Sequence, residues 1–168
     1  MPKLPLLLLP LLFLANICLA QSSCACCTAQ HRQFDFWLGD WLVYDTTGAK
    51  VGENLIEKVE ADCVVSERWQ SATGTTGRSY NYFDAADSTW NQVWIDSQGQ
   101  NLVLKGKASP DKMVLQSALT TGRQGIPYAN RITWTRNSDG TVTQLWEILD
   151  PQGTPVHVAF KGIYKRRR

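Results

Sequence analysis

The chain has 168 residues, 43% hydrophobic and 19% charged, so it is neither a disordered tail nor a low-complexity fibre. Its 17 basic and 15 acidic side chains give a formal net charge of +2. Four of the basic ones are Lys165–Arg168 at the C-terminus, which read as a solvated tail. The remainder runs slightly acidic, which argues against a nucleic-acid-binding surface.

Residues 1–20 read as a secretory signal peptide. Lys3 supplies the positive start, and Leu4–Leu14 form an apolar stretch broken only by Pro5 and Pro10. Cleavage is expected after Ala20 in Cys18-Leu19-Ala20. The apolar core is shorter than the roughly 20 residues that span a bilayer, so no transmembrane segment is expected. Lipidation of a cysteine is the competing reading. Cys18 follows Ile17 and Cys24 follows Ser23, and neither makes a good lipoprotein box. Cleavage leaves residues 21–168, 148 in all, the length of one domain with its own core, in the periplasm or secreted.

Ala29–Leu38 is the one helical candidate. After it the chain alternates strand and turn: Trp41–Asp45, Val51–Glu60, Cys63–Gln70, Arg78–Asp84, Thr89–Asp96, Asn101–Lys107, Lys112–Leu119, Ala129–Arg136, Thr141–Leu149 and Pro155–Tyr164. Longer loops are expected at Ser71–Gly77 and Thr121–Pro127. Gly, Pro, Asn and Asp fall where the chain must reverse. Short connections force antiparallel pairing, because a parallel crossover needs a dozen or more residues. A meander of this kind leaves two open edges unless it closes. The expected fold is therefore an all-β, antiparallel up-and-down barrel of about ten strands, with a Greek-key sandwich as the alternative.

Positions i and i+2 of a strand share a face. Arg78, Tyr80 and Tyr82 fall on one face, Trp90, Gln92 and Trp94 on another, and Val142, Gln144 and Trp146 on a third. A barrel of this size can enclose one small ligand, and aromatic walls with scattered polar groups suit such a cavity. Trp69, Tyr80, Tyr82, Trp94, Trp134 and Trp146 are expected to line the interior, with Arg78 as the polar contact.

Phe34-Asp35-Phe36-Trp37-Leu38-Gly39-Asp40-Trp41 carries a Gly39-x-Trp41 motif at the entry to the first strand. It resembles the opening motif of lipocalins and related calycin barrels. The resemblance implies that Trp41 closes one barrel end, with a basic residue of the last strand, Arg166, lying over it. Four stretches (Arg32–Trp41, Asp62–Trp69, Arg78–Asp84 and Trp90–Asp96) and the terminal Gly162-Ile163-Tyr164-Lys165-Arg166 resemble domain-of-unknown-function family 1579, an uncharacterised, mostly bacterial family. That resemblance implies a lipocalin-like barrel and brings no activity with it.

Past the leader there are four cysteines: Cys24, Cys26, Cys27 and Cys63. An even number in an exported chain favours disulfides. Cys63 is expected to pair with one of Cys24, Cys26 and Cys27. A soft-metal site built from those three and His31 is the alternative, and no second Cys-x-x-Cys supports it.

Three function classes compete. A non-enzymatic binder of a small hydrophobic or aromatic molecule needs only the cavity, and this is the expectation. A haem protein similar to the nitrobindins would use His157 on the last strand; the glycine-rich stretch of that family is replaced here by Leu42, Val43 and Tyr44. An enzyme acting on a small aromatic acid is the third class. Arg78, Tyr80 and Tyr82 with Glu67 or Glu147 are similar to the Tyr, Arg and Glu set of phenolic acid decarboxylases. No phosphate loop, nucleophile elbow or HExxH motif is present.

Overall fold

A computed structural model describes residues 24–122 and 125–168. The leader expected at residues 1–20, with Cys18, lies outside the described residues. Eleven strands follow in order: β1 (Gly39–Tyr44), β2 (Lys50–Val59), β3 (Val64–Ser71), β4 (Thr76–Asp84), β5 (Thr89–Asp96), β6 (Asn101–Ser109), β7 (Lys112–Gln116), β8 (Thr120–Thr121), β9 (Pro127–Arg136), β10 (Val142–Leu149) and β11 (Pro155–Arg166). Ten form a closed antiparallel barrel in which each pairs with its neighbours in sequence, and β8 is a two-residue appendage on β9. Closure comes where β11 meets β1, with Trp41 opposite Arg166 and Val43 opposite Tyr164. The meander order excludes the Greek-key alternative.

Local chemistry sets the hairpins. Asp45, Asp96 and Asp150 each open a D-x-x-G turn, and each Oδ1 accepts backbone N–H groups two and four residues on at 2.8–3.0 Å. Gly48, Gly99 and Gly153 then take φ of +89°, +81° and +83°, a region that side chains disfavour. Between β2 and β3 the solution differs: Glu60, Ala61 and Asp62 all adopt positive φ without a glycine. Such residues cost about 1 kcal/mol or more each and persist where their surroundings hold them. The adjacent Cys63 is disulfide-bonded to Cys26.

The predicted helix over Ala29–Leu38 is instead two 3₁₀ turns, Gln30–Arg32 and Asp35–Trp37. Neither has a side-chain cap, and Phe34 between them leaves helical geometry at φ −102°, ψ 5°. Burial of Phe34 and Trp37 in the barrel replaces helical hydrogen bonding as the organising interaction. Phe34 stacks on Trp37 with ring centroids 4.9 Å apart, and Trp134 lies 5.2 Å from Phe34 and 5.3 Å from Trp37. Each such aromatic pair is worth about 0.5–1.5 kcal/mol beyond its buried area. The segment therefore plugs the barrel end where β2 runs into β3. It is tied there by the Cys26–Cys63 disulfide, by Lys58 Nζ at 2.8 Å from Asp35 Oδ1, and by a 3.1 Å bond from Trp90 Nε1 to Gln33 Oε1. A second disulfide joins Cys24 to Cys27. With all four of these cysteines oxidised, none is a free thiolate to ligate a metal.

Gly39, Trp41 and Arg166 complete this end. The Arg166 guanidinium lies 4.5 Å from the centre of the Trp41 ring, and Trp41 Nε1 donates to Trp37 O at 2.8 Å. Gly39 has φ +141°, and a Cβ there would lie 2.4 Å from Arg166 Nη1. The glycine of the Gly39-x-Trp41 motif is thus required twice, by its backbone and by the arginine passing over it.

Candidate functional site

The other end of the barrel holds a cup of about 220 Å³. Its upper wall is Trp69 of β3, Trp94 of β5, Trp146 of β10 and Phe160 of β11, all half-buried. Leu102 and Ile132 fill between them. Trp134 and Tyr164 form the base, and Trp134 also packs on Phe34 and Trp37, so its indole is the partition between plug and cup.

The cup is open because three glycines let aromatic rings lie along the wall. A Cβ on Gly52 would sit 2.4 Å from Trp69 Cη2, and one on Gly77 would sit 2.1 Å from Trp94 Cζ2. One on Gly162 would sit 2.7 Å from Phe160 Cζ. In each case the ring occupies space that any larger residue would deny it. Glycine inside a strand marks this kind of close approach.

Polar groups converge on the floor. Glu67 is 5% exposed; its Oε1 accepts from Asn54 Nδ2 at 2.7 Å and its Oε2 from Ser79 Oγ at 2.6 Å. Asn81 Nδ2 donates to Ser79 Oγ at 3.0 Å and to Val65 O at 2.9 Å, and Gln92 Nε2 donates to Asn81 Oδ1 at 2.8 Å. On the other side Tyr164 OH donates to Gln144 Oε1, and Trp146 Nε1 donates to Asn130 Oδ1 at 2.9 Å. Desolvation pushes the Glu67 pKa up to about 7, against the lowering effect of the Ser79 and Asn54 hydrogen bonds. Burial, and then the Glu67 charge, raise Tyr164 well above the usual phenol value, which keeps it neutral. Glu67, Gln92 and Gln144 face the cup, and none of the residues lining it is a cation.

In comparisons with known proteins, no family model and no curated protein matches the chain.

Trp69, Trp94, Trp134 and Trp146 all line the cup, Trp134 at its base and the other three on its wall. Arg78, Tyr80 and Tyr82 do not, and this corrects the sequence reading. They lie on the outer face of β4, with Tyr80 52% and Tyr82 42% exposed, while Gly77, Ser79 and Asn81 turn inward. The inward face must be small and polar there, because it lies between Glu67 and the rings of Trp69 and Trp94. Arg78 and Tyr80 instead border an external groove of about 720 Å³ with Leu55, Arg68, Val93 and Ile95. The Tyr, Arg and Glu set is also split. Glu67 points in, and Glu147 pairs with Arg131 at 3.0 Å.

His157 is exposed on β11 and is not among the cup-lining residues. A volume of about 220 Å³ lies below the roughly 300–1,000 Å³ of clefts that take drug-sized molecules. The residues present do not fit a haem. Sequence reasoning named Glu67 only in the enzyme alternative and left out Gln92, Gln144, Phe160 and Tyr164 as site residues, although Glu67 shares a face with Val65 and Trp69, and Gln92 sits between Trp90 and Trp94. The two disulfides, and the lack of any described helix long and apolar enough to cross a membrane, are compatible with a periplasmic or extracellular protein.

Proposed function

We propose that the protein is a non-enzymatic binder that holds one small aromatic or hydrophobic molecule in the cup. The observation that carries this reading is the pairing of Trp69, Trp94 and Phe160 with Gly52, Gly77 and Gly162, which keeps about 220 Å³ unfilled where a packed core would place side chains. Apolar cavities of about 150 Å³ accept a benzene-sized ring, so this volume suits a single ring with a short tail. The polar floor would fix the orientation of that tail. Export, with residues 1–20 as leader, accords with the oxidised cysteines. The likeness to lipocalins and to domain-of-unknown-function family 1579 supports a carrier-type barrel and supplies no ligand or reaction.

Titration with 2-phenylethanol, followed by tryptophan fluorescence, tests the proposal. A saturable change is expected, and Trp146→Ala should weaken it by about tenfold or more, equivalent to about 1.4 kcal/mol of lost contact. Tyr80→Ser, on the outer face, should leave it unchanged. No saturable response from the alcohol or from its amine counterpart would overturn the reading.

A further inference from the structure

Glu67 sets the cup apart from a plain apolar pocket. A carboxyl group at 5% exposure is costly to bury, and in most proteins it is neutralised by a cation. Here every group around it is uncharged. Asn54 comes from β2, Ser79 and Asn81 from β4, Gln92 from β5, Gln144 from β10, and Tyr164 from β11. Asn54 and Ser79 occupy one acceptor site on each carboxylate oxygen, and an ionised carboxylate offers about four. About two acceptor sites are thus unused on a carboxylate whose residue lines the cavity. Gln92 commits its amide nitrogen to Asn81 and Ser79, which leaves its oxygen as an acceptor.

Above this floor stand the indoles of Trp69, Trp94 and Trp146. Indole faces attract cations, by about 0.5–1 kcal/mol when exposed and by about 2 kcal/mol or more when desolvated. An anionic floor and electron-rich walls thus favour the same charge. A neutral aromatic ring would exploit the walls and leave the carboxylate uncompensated.

Resting on the reading of the cup as a binding site, we infer that its ligand class is a small organic cation, an aromatic or alkyl ammonium. The ammonium pairs with Glu67 and the apolar body lies against the indoles. The volume limits the body to about one ring. The high pKa of Glu67 fits a carboxyl that lacks its counter-charge, and binding an ammonium would release the proton.

The test compares 2-phenylethylamine with its near-isostere 2-phenylethanol on the full mature protein, by calorimetry and tryptophan fluorescence. At about pH 8 the amine should bind about tenfold or more tighter than the alcohol, and the preference should shrink as the pH falls to about 5.5. Glu67→Gln keeps the side-chain shape and should abolish the preference, bringing the amine and alcohol affinities within about twofold of each other, while Tyr80→Ser on the outer face should leave the preference intact. Equal affinities for amine and alcohol in the wild type, or a preference that survives Glu67→Gln, would overturn the inference and leave the cup reading standing. Failure of both probes would remove the cup reading and the inference together. Should Glu67→Gln not fold, the wild-type pH series decides: a preference flat from about pH 5.5 to 8 overturns the inference.

Discussion

The indole of Trp94 lies where a side chain on Gly77 would otherwise be, with Cζ2 2.1 Å from the position of that missing Cβ. Position 77 is therefore a contact to the cup wall although it contributes no side chain to it. Gly77→Ala should drive the Trp94 ring into the lumen. Overpacking of this kind costs about 1–3 kcal/mol, and here it should also reduce uptake of 2-phenylethanol. Thermal denaturation and a binding titration check both effects. An alanine variant with unchanged stability and binding would show that the ring has somewhere else to go.

Glu67 should make stability depend on pH with a defined sign. Its pKa rises from the ordinary 4.5 to about 7 in the folded state. The fold therefore favours the protonated form, and this contribution is fully present below about pH 4.5, fades through about pH 7, and is gone above it. The shift corresponds to about 3 kcal/mol. Glu67→Gln imitates the protonated form, so it should be more stable than wild type at about pH 8, by up to that amount, and close to it at about pH 4.5. Urea denaturation across that range is the measurement. A glutamine variant less stable at about pH 8 would contradict the assignment of burial as the dominant effect.

Breaking the Cys26–Cys63 bridge should loosen the plug more than the barrel. The bond closes a separation of 37 residues, which the loop-entropy view values at about 3–4 kcal/mol. A Cys26→Ser, Cys63→Ser double variant should lose that much in denaturant titrations. Hydrogen exchange should rise first over residues 24–38 and in the left-handed turn at Glu60–Asp62. Exchange that rises uniformly would mean that the bridge holds the whole fold, not one end of it.

Arg166→Ala should cost about 0.5–2 kcal/mol through loss of its contact with the Trp41 ring. Gly39→Ala should cost more, because φ of +141° is strained for alanine and the Cβ meets the guanidinium. Combining the two should cost less than the separate losses added together, since removing Arg166 clears the space. A double-mutant cycle on melting temperature reads this directly.

The fold was legible because two signals agreed: regularly spaced runs of strand-forming residues, and Gly, Pro, Asn and Asp between them where the chain must reverse. Alternation fixes which residues share a face but not which face turns inward, and β4 shows the consequence. The size of Tyr80 and Tyr82 suggested an inward orientation, yet the neighbouring rings of Trp69 and Trp94 leave room only for Gly77, Ser79 and Asn81. Gly52, a glycine within the expected strand Val51–Glu60, was the available clue, whereas Gly77 fell in the expected loop Ser71–Gly77. The hydrogen bonds that bury Glu67 join β2, β3 and β4, and a register of that kind emerges only once the strands are paired. The plug was hidden for a different reason. Phe34-x-x-Trp37 has helical spacing, but its rings are held by Trp90 and Trp134, more than fifty residues further along the chain.

The covalent fastening of residues 24–38 leaves the barrel a blind tube. A molecule resting on Trp134 has the plug beneath it, so arrival and departure share one doorway, framed by Trp69, Trp146 and Phe160. A guest held as proposed would enter and leave by that one mouth and would not be passed through the barrel.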